Sequence, residues 1–562
     1  MRRALLLLLG IVAITWLEFD VFPGHSYLEG ASQIYLPVLE RLDTPGFLSR
    51  DLVATHPHVS YTIYDEVTLF LREGGGMSFK MSLLTQQVLC RAAAVTGVFL
   101  LFVAAGLGDI LALVFAAWFQ LGAVLHGPCA LLVEREPTPR GFSFGLVLLA
   151  MGLIAREKPL LSGLVGGLAL LYDPVMAAPL WLVILVAFLF DRKLRGLLRP
   201  ALTILLVFAL LLANLAQLQP GVTDSQPVFA RLPADLAALQ KLRTDYVWVS
   251  SWAGKYMWGY LGLYVCTVWA VTRVYAALND LLRWLFLGLS TCGVLAVAAS
   301  ALSLDHFRWA LIPRIEPAQL LLYSVAVASI TCSIAGCRAA AARRRREAFA
   351  WFLVVAAIPV NAELFDLLGP RNRSSLLNSA VWILLALGLM AVMRYYGGKR
   401  RPGLMGVAPA FAVILLAAAG TGESSPRMDV NGIHTVAAWA ESSTWGSSLF
   451  LFPDARRVIY PGVFRAESRR ALWVDWKSGV EVKYSEPVGM EWWRRWESAM
   501  QEPFSPKRLE ALLPLPIDYY VLKSSNRLAK IQPVFATREF VVYDARDLRQ
   551  APGPLELARR PR

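Results

Sequence analysis

Hydrophobic residues in this chain fall in long blocks separated by short polar stretches rich in Arg and Lys. Met1-Arg2-Arg3 precedes the first block, Ala4 to Leu17, and no small-residue cleavage pattern follows it, so it reads as a retained first helix rather than a signal peptide. Further blocks lie at 83–107, 109–126, 141–155, 160–172, 175–190, 200–217, 257–272, 284–303, 318–336, 348–362, 376–393 and 404–420. An upright helix needs about 20 apolar residues to cross a bilayer. The blocks therefore predict thirteen spans, with short ones such as 160–172 broken or tilted.

Beyond residue 420 the pattern changes. Ser448 to Phe452, Ala471 to Trp476, Tyr519 to Leu522 and Glu539 to Tyr543 are short β-rich runs, and His434 to Glu441 and Met490 to Met500 between them are helical. Strands alternating with helices predict a small α/β domain with a partly parallel sheet. The chain thus divides into a membrane module, 1–420, and a C-terminal domain, 421–562. Neither GxGxxG nor GxxxxGK[ST] occurs in that domain, which leaves nucleotide binding without a motif.

Loop charge sets the orientation. Arg156 and Lys158; Arg192, Lys193, Arg195 and Arg199; Arg273 and Arg283; Arg338 and Arg343 to Arg346; and Arg394, Lys399, Arg400 and Arg401 all fall in alternate loops, which positive charge assigns to the cytoplasm together with the N-terminus. The odd number of spans then places 421–562 outside, with a long first loop at 18–82 and another at 218–256. Within the first loop, Tyr27 to Leu42 and Ser60 to Arg72 have the apolar stripes of helices lying on a membrane surface.

Composition agrees with this plan. Of the 562 residues 56% are hydrophobic and 17% charged, against about 25% charged in soluble domains, which excludes a soluble enzyme and a disordered chain. The net charge of +14 comes from 55 Lys and Arg spread through loops, so it anchors topology and does not indicate a nucleic-acid partner. Cys90, Cys266, Cys292, Cys332 and Cys337 lie in or beside apolar runs and Cys129 in a short loop, with neither a disulfide framework nor metal-ligand spacing.

Chemistry is then sought among charges on the outer side. Glu18 and Asp20 close the first span, where a carboxylate either marks the interface with water or works as a base. The two face the same way in an extended segment but stand about 200° apart on a helix. Asp51 ends a Pro/Gly turn. His56-Pro57-His58 is the only hint of a divalent metal, and it lacks a partner at fixed spacing. Arg308, Arg314, Arg371 and Arg373 lie outside against the charge trend, either neutralising nearby acids and headgroups or gripping phosphate. The Tyr246 to Tyr264 aromatics fit a membrane-interface belt. Trp473, Trp476, Trp492, Trp493 and Trp496 fit a small core or a glycan groove equally, and Lys477 among them has no evident partner.

This architecture resembles the GT-C superfamily of polytopic glycosyltransferases. Glu18-Phe-Asp20, the two first-loop helices and the C-terminal domain follow that plan in order and side, and Glu29 to Asp51, Trp439-Ala-Glu-Ser-Ser-Thr and Arg470 to Lys477 resemble an uncharacterised bacterial subgroup. Two departures stand out: Gly30-Ala-Ser-Gln33 where related loops carry Gly-x-Asp-Gln, and Asp173-Pro174 where they carry His-Pro. The resemblance implies a multi-pass enzyme of the bacterial cytoplasmic membrane, moving a hexose or pentose from a polyprenyl-phosphate donor to a glycan, lipid or protein acceptor outside, with inversion. It further implies Asp20 as general base, Glu18 as its nearest alternative, Asp51 orienting the acceptor or completing the site, and the four outer arginines holding the donor phosphate. A transporter or flippase of a lipid-linked precursor would instead place polar side chains at mid-membrane depth, where only Gln86, Gln87, Arg91, Gln120 and Asn214 qualify. A catalytically inactive envelope scaffold would tolerate replacement of Glu18 and Asp20.

Overall fold

The computed structural model describes residues 2–20, 23–56, 62–218, 229–358 and 431–558. The expected spans at 376–393 and 404–420, the end of 348–362, and His58, Arg371 and Arg373 lie outside the described residues.

Helix α1 (Arg2–Asp20) leads into the first loop, which carries α2 (Ser32–Asp43) and α3 (Tyr64–Glu73). Then come α4 (Phe79–Ala104), α5 (Asp109–Phe119), α6 (Pro139–Ala155), α7 (Pro159–Tyr172), α8 (Pro174–Phe190), α9 (Arg195–Leu218) and α10 (Ala234–Arg243). They are followed by α11 (Gly254–Val274), α12 (Asp280–Ser300), α13 (Ile312–Ile315), α14 (Leu321–Ala341) and α15 (Arg345–Ala357). Four helical stretches among the described residues are long and apolar enough to cross a membrane: Phe79–Ala104, Arg195–Leu215, Asp280–His306 and Ile312–Ala341. The last is almost wholly buried at the centre of the bundle, whereas Arg195–Leu215 is almost wholly exposed at its edge.

Local chemistry starts these helices where the apolar runs begin. Ser78, Thr138, Asp173 and Asn279 cap α4, α6, α8 and α12 by accepting from the amides of Met81, Gly141, Met176 and Leu282, and Pro opens α6, α7 and α8 where its missing N–H costs nothing. Asp173-Pro174 is thus a helix cap. Helices α4 and α6 cross at backbone contact: a Cβ on Gly97 would lie 2.2 Å from the Leu148 carbonyl oxygen. Only glycine permits that approach.

One expected span is corrected. The run 109–126 stops being helical at Phe119, because Gly122 (φ +76°) and Gly127 (φ +91°) turn the chain into an antiparallel hairpin, β1 (Val124–Leu125) and β2 (Ala130–Leu131). With 11 residues, α5 is only about 16 Å long and does not cross a bilayer alone.

The C-terminal residues form a five-stranded sheet in the order β4-β3-β5-β7-β6, with β3 (Leu449–Leu451), β4 (Ala471–Leu472), β5 (Tyr519–Lys523), β6 (Phe535–Ala536) and β7 (Phe540–Asp544). Strand β3 runs parallel to β4 and β5, and β7 is antiparallel to both β5 and β6. Helices α16 (Asn431–Ser443), α17 (Tyr460–Ser468) and α18 (Glu486–Met500) pack with it.

The first of the two first-loop helices is not left with one face free for a membrane surface, as its amphipathic stripe predicts. Helix α2 starts at Ser32, five residues later than expected, and is covered on both faces, with Ile34, Leu36 and Leu39 buried together with the polar Gln33 and Glu40. Its polar face meets α17, where Arg465 donates to the Gln33 carbonyl at 3.0 Å and Arg469 reaches Glu40 at 3.3 Å.

Candidate functional site

Because α1 stays helical through Asp20, its two carboxylates diverge: Glu18 is buried and Asp20 is exposed. The Arg91 guanidinium, from α4, donates to the carbonyls of Glu18 (3.2 Å), Gly24 (2.8 Å) and Glu134 (2.7 Å) and lies 3.6 Å from the Glu18 carboxylate. It thereby clamps the exit of the first helix to the segment after the hairpin. A cavity of about 30 Å³ beside this clamp, lined by Glu18, Gln87, Arg91, Gln120, Glu134 and Arg140, has room for water and for no organic group.

From Glu134 a run of polar contacts crosses to the C-terminal residues. Glu134 pairs with Arg140, Arg140 donates to Gln319, Gln319 donates to Glu316, and Glu316 pairs with Lys483, whose ammonium also donates to the Tyr246 hydroxyl at 3.2 Å. Burial opposes the charge on Lys483, but Glu316, Tyr246 and Tyr484 together outweigh it and hold the lysine pKa well above its ordinary value. Beside this run, Glu136 accepts from the amides of Glu29 (2.7 Å), Gly30 (2.6 Å) and Ser32 (3.1 Å) and from the Ser32 hydroxyl (2.9 Å), placing an anion at the N-terminus of α2.

Lys477 opens the 3₁₀ turn Lys477–Lys483. Its amide donates to Asp475 and its carbonyl accepts from Arg243, but its ammonium has no hydrogen bond or ion pair among the described residues. Burial pushes this lysine down to about 8, Glu136 acting against the shift and Arg243 and Lys483 reinforcing it. The sequence marks Lys477 only as a charge among tryptophans; its surroundings come from segments far apart in the chain.

The other residues singled out by the sequence are dispersed. Asp51 is buried, its Oδ1 accepting from the amides of Val53 and Ala54 and its Oδ2 from Leu472 at 3.0 Å, so it fastens the first loop to β4. Arg465, which sequence reasoning missed, is 3.8 Å from Asp51 and 3.1 Å from Asp475. Arg308 is exposed with φ +56°, and Arg314 is half-buried. His56 is exposed beside the Leu52 carbonyl, and no three His, Cys, Asp or Glu among the described residues group to hold a metal. Trp492 and Trp496 are buried in a stacked cluster with Trp476 and Trp493, which makes them core rather than a glycan groove. The Tyr246–Tyr264 aromatics divide: Trp248 is buried in the core, whereas Trp258 is 74% exposed.

Trp258 stands at an apolar groove of about 360 Å³ between α11 and α12, lined also by Met257, Leu261, Val294, Val297 and Ala298. Val249 and Leu321 are also in its lining, and in the chain they follow Tyr246 by three residues and Glu316 by five.

No family model matches this chain, and no curated protein is similar to it in sequence. Among solved structures it is similar to ArnT from Cupriavidus metallidurans in the apo state, with a TM-score of 0.51 and 13% identity, covering 98% of this chain and 99% of that one. It is also similar to ArnT from Cupriavidus metallidurans bound to undecaprenyl phosphate, with a TM-score of 0.50 and 14% identity, covering 96% of this chain and 98% of that one. At this identity the likeness establishes that the chain shares the fold of ArnT, and the fold alone.

Proposed function

We propose that this chain is a membrane glycosyltransferase that moves a sugar from a polyprenyl-phosphate donor to an acceptor on the extracytoplasmic side. The observation that carries the reading is the run of polar contacts from the exit of α1 to Lys483, together with an apolar groove whose lining lies within a few residues of that run in the chain, in a fold similar to that of ArnT. A polyprenyl phosphate has that same division, an isoprenoid chain for the groove and an anion for the charges at its end. The ArnT structure holding undecaprenyl phosphate supports the same class of donor.

In the reaction, an acceptor oxygen attacks the anomeric carbon from the face opposite the phosphate. The carbon–oxygen bond to the phosphate breaks with its electron pair going to the phosphate oxygen, and a carboxylate takes the acceptor proton. Asp20 is assigned as that base because it is exposed, where an acceptor arriving from water meets it. Glu18, buried against Arg91, holds the exit of the helix in place. Asp51 serves at one remove by fixing the first loop to β4. Arg308 and Arg314, with Arg371 and Arg373, contribute positive charge for the departing phosphate. In this reading the N-terminus lies in the cytoplasm and a 421–562 domain outside.

The test is release of undecaprenyl phosphate from undecaprenyl-phosphate hexoses and pentoses by the purified protein in liposomes supplied with bacterial envelope lipids and glycans as acceptors. Asp20→Asn is expected to lower the rate by about two orders of magnitude or more without changing thermal stability, because the side chain is exposed. Wild-type release no faster than in empty liposomes would overturn the enzyme reading, and undiminished activity in Asp20→Asn would remove Asp20 from the chemistry. A transporter is disfavoured because Gln86, Gln87 and Arg91 are committed to Thr68, the Arg135 carbonyl and the Glu18, Gly24 and Glu134 carbonyls rather than lining a path.

A further inference from the structure

The C-terminal residues do more than cover the bundle. Lys477 is fixed through its backbone at both sides: its N–H donates to Asp475 Oδ2 at 3.1 Å, and its carbonyl accepts from Arg243 at 3.2 Å. Arg243 is itself held by the Trp476 carbonyl at 2.9 Å and lies 5.0 Å over the Trp476 ring. The base of the side chain is rigid while its end is uncommitted.

The carboxylates whose charge acts on Lys477 or on the neighbouring Cys129, Glu136 for the first and Glu134 and Glu316 for the second, are already engaged. Glu136 is saturated by the start of α2, Glu134 is paired with Arg140, and Glu316 is paired with Lys483 and bonded by Gln319. Asp475 is taken by Arg465, Ser478 and the Lys477 amide. The nearest cations, Lys483 and Arg243, repel the ammonium. A half-buried cation in such company is costly to keep charged unless an anion meets it. Lys477 is half-buried rather than sealed in, and Cys129, at the tip of the β1–β2 hairpin, shares the field of Lys477, Arg140 and Glu316 and is exposed.

We propose that the Lys477 ammonium binds the phosphate of the lipid-linked donor, so that the sheet-bearing C-terminal residues complete the anion site of the membrane module. The inference rests on the glycosyltransferase reading and adds to it a residue and a consequence: donor binding requires the C-terminal residues to be docked. A phosphate suits the position because its several oxygens accept from the three donors of an ammonium, and a charge-assisted bond of that kind is worth about tenfold or more in affinity.

The experiment uses the full chain in phosphatidylcholine nanodiscs and measures equilibrium binding of farnesyl phosphate, farnesol and inorganic phosphate to the wild type, Lys477→Met and Lys477→Arg. The expected result is tighter binding of farnesyl phosphate than of farnesol or inorganic phosphate by the wild type. Lys477→Met is expected to lose about tenfold for farnesyl phosphate with farnesol unchanged, and Lys477→Arg to retain the preference. Met replaces a side chain with no partner, so its melting temperature should match the wild type, and Lys477→Arg repeats the test without removing charge. Wild-type preference for farnesyl phosphate that survives intact in Lys477→Met overturns the role of Lys477 and leaves the glycosyltransferase reading standing. A wild type that does not distinguish farnesyl phosphate from farnesol overturns both. Inorganic phosphate bound through Lys477 as tightly as farnesyl phosphate overturns the lipid-linked source of the anion.

Discussion

Arg465 illustrates how single side chains hold this protein together. It is fully buried between Asp475, Ser478 and the Gln33 carbonyl, with Asp51 at the edge of reach. Arg465→Met is expected to cost about 3–5 kcal/mol, because it strands two buried carboxylates; the loss would appear as a large drop in melting temperature. Nothing in the spacing of Asp51 and Arg465, 414 positions apart, announces that they meet. The lone ammonium of Lys477 carries a different expectation. With its pKa pushed down to about 8, the side chain is charged at pH 7 and loses its proton as pH rises through 8. Affinity for farnesyl phosphate should therefore fall between pH 7 and 9 in the wild type and hold level in Lys477→Arg, whose charge persists throughout.

At the scale of elements, the α4–α6 crossing depends on one missing side chain. Gly97→Val would drive methyl groups into the Leu148 backbone, and it should destabilise the bundle by about 1–3 kcal/mol or more, measured as a fall in melting temperature in detergent. Helix α2 should carry a pH signature. Burial raises Glu40 to about 8 even though Arg469 acts in the opposite direction, whereas in the unfolded chain it ionises near the usual glutamate value. The folded state thus retains a proton that the unfolded state has released, and stability contributed by this group falls as pH rises from about 4.5 through 8. Glu40→Gln should flatten the decline in melting temperature across that window. The amphipathic stripe locates α2 to within a few residues but says nothing of what covers its polar face, since a membrane surface and the side of α17 satisfy the same pattern. The run 109–126 misleads in a similar way, because hydropathy does not register that Gly122 and Gly127 turn the chain into a hairpin.

For the whole molecule, the C-terminal sheet and the first loop behave as one fastening: Leu472 to Asp51, Arg465 to Gln33, Arg469 to Glu40 and Arg50 to Asp518 join them. Removing residues 431–562 should expose α2 to proteolysis within 29–51 while leaving the α4–α6 pair protected, a contrast readable by limited digestion and peptide mapping. The sequence by itself determined where most helices begin to within about five residues, four of the five C-terminal strands, and that the sheet is partly parallel, because capping, proline placement and periodicity act between near neighbours. It also determined that a carboxylate pair stands at the end of the first helix. Only the tertiary structure decided that Glu18 turns inward and Asp20 outward, that Asp51 is a fastener, and that the Lys477 ammonium has no hydrogen bond or ion pair among the described residues. Those outcomes depend on which distant groups are brought within a few ångströms, and local pattern carries no record of that.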